Sequence, residues 1–405
     1  MSITRFANND TIKQNNRLLI LKEIRQNGPV TKIELANKFD LTFSGVGNII
    51  SILMEADLIK EVGYGESSGG RPPILYNMNW DSIYVIALVI GVEKISASLV
   101  NLKGEASDEV TAIVNSDLII EKIYNLIDQL LDRTTIDTKK ISGIGVSAPG
   151  PIDTTDGKVL TPPNLKAMSN IDIQDLLEDR YELPTALERD ANAFALAEQW
   201  FGRVEPEEDI LYIYNDQGLG GGLIINSRIH RGLGNGAGEI GHMIIDIDGP
   251  KCNCGNFGCL EALSSGIAIQ RRVKEEIRRG FVTSLADPYI HEGIEPTINK
   301  IVEEAREGDK LALQVLHEAE RYLGLGIANA INLFSPNQII FGGEVTKLYP
   351  EMIIGVEKLA KQHAFSPHAN QITFSKSAFI HESNSIGAAA VIQQKLFDLP
   401  LDTII

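Results

Sequence analysis

Glu239-Ile-Gly-His242 is followed, ten residues on, by Cys252-Asn-Cys254-Gly-Asn-Phe-Gly-Cys259-Leu-Glu261, and this stretch holds every cysteine of a 405-residue chain. Three sulfurs and one imidazole are the donor set of a closed tetrahedral zinc site, because Zn2+ takes thiolate and nitrogen ligands without a geometric demand of its own. Gly255 and Gly258 allow the turns that would aim Cys254 and Cys259 at one point. Two other readings stand beside this one. Three unrelated buried thiols would leave their clustering unexplained, and a disulfide would leave one thiol over and strain the Cys-x-Cys span. With His242, Cys252, Cys254 and Cys259 all coordinating, no position stays open, so the expected cofactor is structural Zn2+ and not a catalytic metal. Such a knot would also draw Glu239 and Glu261 together into a polar binding wall.

The length predicts two or three domains, at about 150 residues each, with substantial cores. A net charge of −17 argues against a chain that binds nucleic acid over its whole surface. Residues 1–80 nevertheless carry nine Lys/Arg against eight Asp/Glu, a balance of +1 that leaves −18 for the rest. The first twenty residues lack a basic segment leading into an apolar run, and the longest apolar run, Ile83 to Ile90, is too short to cross a bilayer. The expectation is a cytoplasmic protein without a membrane partner, where thiols stay reduced for metal.

The first eighty residues read as a DNA-binding module. Helical periodicity runs from about Ile12 to Gln26 and stops at Asn27-Gly28-Pro29. Thr31 with Glu34 forms a capping box for a second helix, whose expected buried stripe is Ile33, Leu35, Ala36 and Phe39. After the turn at Asp40-Leu41, Thr42 opens a third helix through about Ala56, with Val46, Ile49, Ile50, Leu53 and Met54 inward. A longer helix followed by two short ones around a tight turn is a helix-turn-helix, and 58–62 with 74–78 alternate as two strands of a wing. Gly69-Gly-Arg71-Pro-Pro73 is slim enough to lay Arg71 into a minor groove. Base reading would fall to Ser44, Asn48 and Thr42 or Phe43, and phosphate contact to Lys13, Arg17, Lys32 and Lys38. The third helix holds no Arg or Lys on its exposed early positions, which keeps a three-helix protein-interaction module in play.

From Ser82 the pattern turns to α/β order. Tyr84 to Ile90 and Ile95 to Asn101 form a hairpin, Ile141 to Val146 empties into Ser147-Ala-Pro-Gly150, and Ile210 to Tyr214 turns through Gly218-Leu-Gly-Gly-Gly222 into Leu223 to Ile225. Gln338 to Phe341 runs into Gly342-Gly343. Glycine turns after buried strands are where phosphates and sugars approach α/β backbones. Taken with Gly69-Gly-Arg-Pro-Pro73, Gly238-Glu-Ile-Gly-His242 and the cysteine knot, the whole chain closely resembles the ROK family of repressors and sugar kinases. The resemblance implies a winged helix-turn-helix domain over 1–80 and an α/β two-lobed, actin-like (ribonuclease H-like) body. Its first lobe would span 81–195 and be completed by a C-terminal helix at about 385–405. Its second lobe, 196–384, would carry the zinc knot.

The same resemblance separates sensor from kinase. Family kinases carry Asp-x-Gly-Gly-Thr in the first strand turn, where this chain has Val89-Ile-Gly-Val-Glu93, and resemble Gly-Thr-Gly where it has Asp216-Gln-Gly218. Losing a metal-associated Asp and adding an acid near a γ-phosphate removes the charge neutralisation that phosphoryl transfer requires. Asp190, within Glu188-Arg-Asp-Ala-Asn192, stands where the family places its catalytic Asp and is read here as a vestigial base. Asn164, Arg189, Asp190, Glu239, His242 and Glu261 are the implied ligand-binding residues, their carboxylates accepting hydrogen bonds from sugar hydroxyls. For Arg189 an intrahelical pair with a neighbouring Glu is weighed against contact to an anionic ligand. The expected function is a sugar-responsive repressor of carbohydrate genes that binds a double-stranded DNA operator and a sugar or sugar phosphate, as a homodimer or tetramer. An active sugar kinase and a sugar-sensing scaffold without DNA binding are the alternatives.

Overall fold

A computed structural model describes residues 9–66, 71–114, 118–162, 165–202, 204–205, 208–365, 367, 369–380 and 385–398, with side chains from residue 14 onward. Asn164, the far end of the wing at 67–70 and the side chain of Lys13 lie outside the described part.

The first domain runs α1 (Asn9–Asn27), β1 (Val30–Thr31), α2 (Lys32–Phe39), α3 (Phe43–Glu55), β2 (Ile59–Tyr64) and β3 (Ile74–Met78). The capping box forms: the Glu34 N–H donates to Thr31 Oγ1 at 3.2 Å, and Glu34 Oε2 accepts from the Thr31 N–H at 2.7 Å. Asp40 ends α2 in the left-handed region at φ 51°, and Thr42 caps α3 by accepting from the Gly45 N–H. β3 pairs antiparallel with β2 and also with β1, a two-residue strand too short to show alternation. Two expected core residues point outward, Ile33 at 53 % and Met54 at 38 % exposure. Ile33 precedes buried Leu35 by two residues, about 200° round the helix, and Met54 lies about 100° past buried Leu53. The core formed by Ile20, Ile24, Val46, Ile50 and Leu53 continues into Ile83, Leu102 and Phe397, so this domain shares its interior with the body.

The body repeats one topology. The first lobe contains β4 (Tyr84–Ile90), β5 (Lys94–Asn101), β6 (Ala106–Ile113), α4 (Ile119–Arg133), β7 (Ile141–Ala148), the small pair β8 (Ile152–Asp153) and β9 (Lys158–Val159), α5 (Ile173–Tyr181) and β10 (Thr185–Arg189). Its sheet has the order β10-β7-β4-β5-β6. After α6 (Asp190–Phe201) the second lobe supplies β11 (Ile210–Asn215), β12 (Leu219–Ile225), β13 (Arg228–Ile229), α7 (Leu260–Ser264), α8 (Gly266–Arg278), α9 (Ala286–His291), α10 (Ile298–Arg306), α11 (Lys310–Phe334), β14 (Gln338–Gly342), α12 (Glu344–Leu348), α13 (Met352–His363) and β15 (Thr373–Lys376). That sheet is ordered β13-β12-β11-β14-β15. In each, three consecutive antiparallel strands are extended by two parallel strands beside the first, so the lobes are structural repeats.

α14 (Ser385–Asp398) packs on β7 and β4 of the first sheet, while α6 packs on β11 and β12 of the second, and the two helices meet each other between the sheets. Close approach depends on small residues. A Cβ on Gly145 of β7 would sit 1.8 Å from the Ala388 carbonyl of α14. Gly145→Ala is therefore expected to push α14 off its sheet and lower the urea midpoint, costing on the order of 2–3 kcal/mol; an unchanged midpoint would mean that this contact does not set the packing.

Candidate functional site: a sulfur knot beside an acidic cleft

His242 and the three cysteines converge. One ligand atom from each lies within 4.8 Å of all the others. Cys254 Sγ is 3.6 Å from Cys259 Sγ, and Cys252 Sγ is 3.8 Å from His242 Nδ1. Four donors bound at about 2.0–2.3 Å in a tetrahedron have separations of this size. The backbone is tied by its own hydrogen bonds, Cys252 N–H to the Asn256 carbonyl and Ile245 N–H to the Gly258 carbonyl. Gly258, at φ 66°, passes so near Asp246 that a Cβ would fall 1.5 Å from its carbonyl oxygen. The cluster fits a metal ion. Free of one, burial pushes the Cys252 thiol up to about 12, so coordination there releases a proton.

The acids expected beside the knot are wired to it. His242 turns its other nitrogen, Nε2, to Glu239 Oε2 at 3.9 Å. Glu261, in α7 directly after Cys259, lies 3.6 Å from Cys252 Sγ through Oε1 and accepts from the Leu219 N–H at 3.0 Å through Oε2. That N–H belongs to the glycine-rich turn into β12, so one carboxylate joins the knot to the second sheet. Asp190 opens α6 at the ends of both sheets, and its Oδ1 accepts from the Ala191 N–H at 2.7 Å. Loss of hydration raises its pKa from 3.8 to about 6, with Glu239 and Asp216 adding repulsion.

Arg189 corrects the sequence reading. Its guanidinium does not pair along the helix: NH1 binds Glu239, and NH2 donates to the Ala237 carbonyl at 2.5 Å. The neighbouring Glu188 is fully buried and takes Arg231 at 2.8 Å and Asn192 at 2.9 Å. Thr154 donates to Asn235 at 2.8 Å. Thus the segment 231–239 of the second lobe is clasped by Thr154, Glu188 and Arg189 of the first. Sequence reasoning missed Glu188, Arg231 and Asn235, since nothing in spacing links positions 43 and 81 residues apart. Across the mouth, Gln217 and Glu93 approach to 3.5 Å, joining the two loops whose residues depart from a phosphate-binding pattern.

In the first domain Phe43, Ser44 and Asn48 are exposed on α3, and Arg71 is exposed at the return of the wing. Thr42 is exposed, with its hydroxyl engaged in capping. Arg17 is half-buried, and Lys32 lies 5.3 Å over the Tyr76 ring. Lys38 is exposed, pairs with Glu23 at 2.7 Å and lines a cleft of about 670 Å³ between the domain and the body. On the wall of that cleft the Arg25 guanidinium sits 3.7 Å over the Trp200 ring and donates to the Trp200 carbonyl. Trp200 in turn donates to Gln393 of α14 at 3.1 Å. Helix α6 therefore starts at the acidic cleft and ends under α1.

Residues 85–395 match the model of the ROK family. The xylose repressor of Caldicellulosiruptor bescii is 30% identical over 400 residues, 97% of this chain and 99% of that one. The crystal structure of a ROK family transcriptional regulator, a homolog of the E. coli MLC protein, superposes with a TM-score of 0.84 at 28% identity, over 97% of this chain and 99% of that one. A ROK family glucokinase from Streptomyces griseus, solved with glucose and AMPPNP, reaches a TM-score of 0.66 at 27% identity and covers 77% of this chain and 99% of its own. The chain belongs to the ROK family. It stands among that family's transcriptional regulators, which it matches over 97% of its length, against 77% for the glucokinase. Among the described residues no helix is long and apolar enough to cross a membrane.

The raised pKa of Asp190 makes a stability prediction. Because the folded state holds this proton more tightly than the unfolded chain, the group's stabilisation is full below about pH 4 and lost as pH rises through about 6. Asp190→Asn should raise stability at pH 8, by on the order of 2 kcal/mol, and the gain should vanish toward pH 4. Thermal melts across that range check it; a variant less stable than wild type at pH 8 would contradict the assignment.

Proposed function

We propose that the protein is a sugar-responsive repressor that binds a double-stranded DNA operator through its first domain and a sugar in the cleft of its body. The observation that carries this reading is the full-length likeness to regulators, combined with a helix that joins the acidic cleft to the DNA-binding module. Asp190, Glu239 and Glu261 accept hydrogen bonds from adjacent sugar hydroxyls, His242 and Arg189 back Glu239, and Asn164 completes the ligand set. Ser44, Asn48 and Thr42 read base edges, Arg71 enters the minor groove, and Lys13, Arg17 and Lys32 meet phosphates. The metal in the knot is Zn2+, a structural brace. The protein acts in the cytoplasm as a homodimer or tetramer whose paired recognition helices sit about one DNA turn apart.

Ligand response requires that the sugar prefer one arrangement of the lobes, since equal affinity for both shifts nothing. Contacts from Asp190 on one side and Glu261 on the other favour closure. Closure shifts α6, and the Arg25–Trp200 stack, of a kind worth about 2 kcal/mol when desolvated, carries that shift to α1.

In a gel-shift titration the effective sugar should weaken operator binding by tenfold or more, a coupling of about 1.4 kcal/mol. Arg25→Ala should retain both sugar binding and operator binding while that coupling shrinks severalfold. Operator affinity indifferent to every sugar that stabilises the protein would sink the reading. Cys254→Ser should reduce zinc from about one per chain toward zero and abolish the sugar response, with the first domain still folded by circular dichroism. Full response in metal-free protein would remove the brace from the account.

A further inference from the structure

Arg189 is the cation nearest the ligand carboxylates, and it is already taken. Its side chain is 7 % exposed, NH1 is held by Glu239 and NH2 by the Ala237 carbonyl. Its Nε is sealed from solvent and has no partner among the described residues. Around it, Asp216 and Glu239 lie close enough to Asp190 to repel its charge, Glu261 is bonded to the Leu219 N–H, and Glu93 approaches Gln217 from the first lobe. His242 is committed to the sulfur knot through Nδ1. Lys251 and Arg271 lie beyond Glu261, lining with it and Cys252 a small pocket of about 40 Å³. That volume has room for about three waters and not for a sugar phosphate.

We infer that the Arg189–Glu239 pair fixes the charge class of the ligand, so that the cleft takes an uncharged, hydroxyl-bearing sugar and refuses its phosphate ester. The inference rests on the sugar-binding reading of the cleft and adds what that reading leaves open. Beside Asp190 and Glu239 a phosphate could be neutralised only by taking Arg189 from Glu239, since the nearby Arg231 is held by the buried Glu188. Doing so would leave Glu239 without its counter-charge among four other carboxylates and would undo part of the clasp between the lobes. A neutral sugar needs no such exchange: its hydroxyls donate to carboxyl groups already held in place.

The test is calorimetric titration of the full-length protein with a panel of pentoses, hexoses and acetamido sugars and the terminal phosphate ester of each. The expected result is that the sugar that binds does so about tenfold or more tightly than its ester. Glu239→Gln frees the Arg189 cation and removes a negative charge, so it should move the ester-to-sugar affinity ratio about tenfold toward the ester. Arg189→Gln should move the ratio no further toward the ester, and it serves as the second variant if the first fails to fold. An ester binding wild type as tightly as its sugar overturns the inference while leaving a sugar site in place. Equal weakening of both ligands in both variants also overturns it, because that is what a purely structural pair would do. If neither class binds wild type, the sugar reading itself falls and this inference falls with it.

Discussion

A carboxylate withdrawn from water has to be matched, and the cleft is organised around that requirement. Glu188 is fully buried and is met by Arg231, Asn192 and the Arg189 N–H. Glu239 is met by Arg189 and Glu261 by the Leu219 N–H and the knot. Each of the first two pairs crosses from one lobe to the other, so satisfying the charge and joining the lobes are one event. Asp190 is the exception. Its carboxylate is met by the N–H of its own neighbour, and its raised pKa measures what remains unmatched. A hydroxyl donor arriving in the cleft would relieve that deficit, which is why a site of this kind recognises a hydroxyl-rich molecule better than an apolar one.

Helix α6 converts this local matter into a long-range one. Ala191, Ala193, Ala195 and Ala197 are buried along it, and their small side chains let the helix lie close to β12 on one side and α14 on the other. At its far end the packing changes from small to large, with Trp200 set between Arg25 and Phe397. A helix tightly packed along its length moves as a body, because close-packed interiors do not deform continuously. The first domain is bonded to the end of that body, and its core runs through Ile83 and Leu102 into the first lobe.

Much of this was legible in the sequence wherever the cause is local. The Thr31–Glu34 capping box, the turn at Asp40, the hairpin after Tyr84 and the convergence of His242 with the cysteines all depend on residues within about twenty positions, and spacing reports them. Failures came where the cause is tertiary. Arg189 has Glu188 beside it in sequence, yet Glu188 is claimed by Arg231, and Arg189 reaches Glu239. Ile33 reads as core by hydrophobicity, whereas two residues of helical rotation decide otherwise.

The kinase-like architecture and the regulatory likeness meet at the cleft mouth. Phosphoryl transfer needs open backbone and cations where the γ-phosphate arrives. Here Glu93 and Gln217 approach each other at that point, one from each lobe. A contact of this kind joins one lobe to the other at its surface. A protein that performs no transfer gains from such a contact, because a regulator needs two arrangements of nearly equal energy and a ligand that tells them apart. On the sugar-sensor reading proposed above, a polar contact between the lobes stands where the family's kinases have a phosphate-binding turn, and it leaves hydroxyl contacts to Asp190 and Glu261 as the means by which a ligand would tell the two arrangements apart.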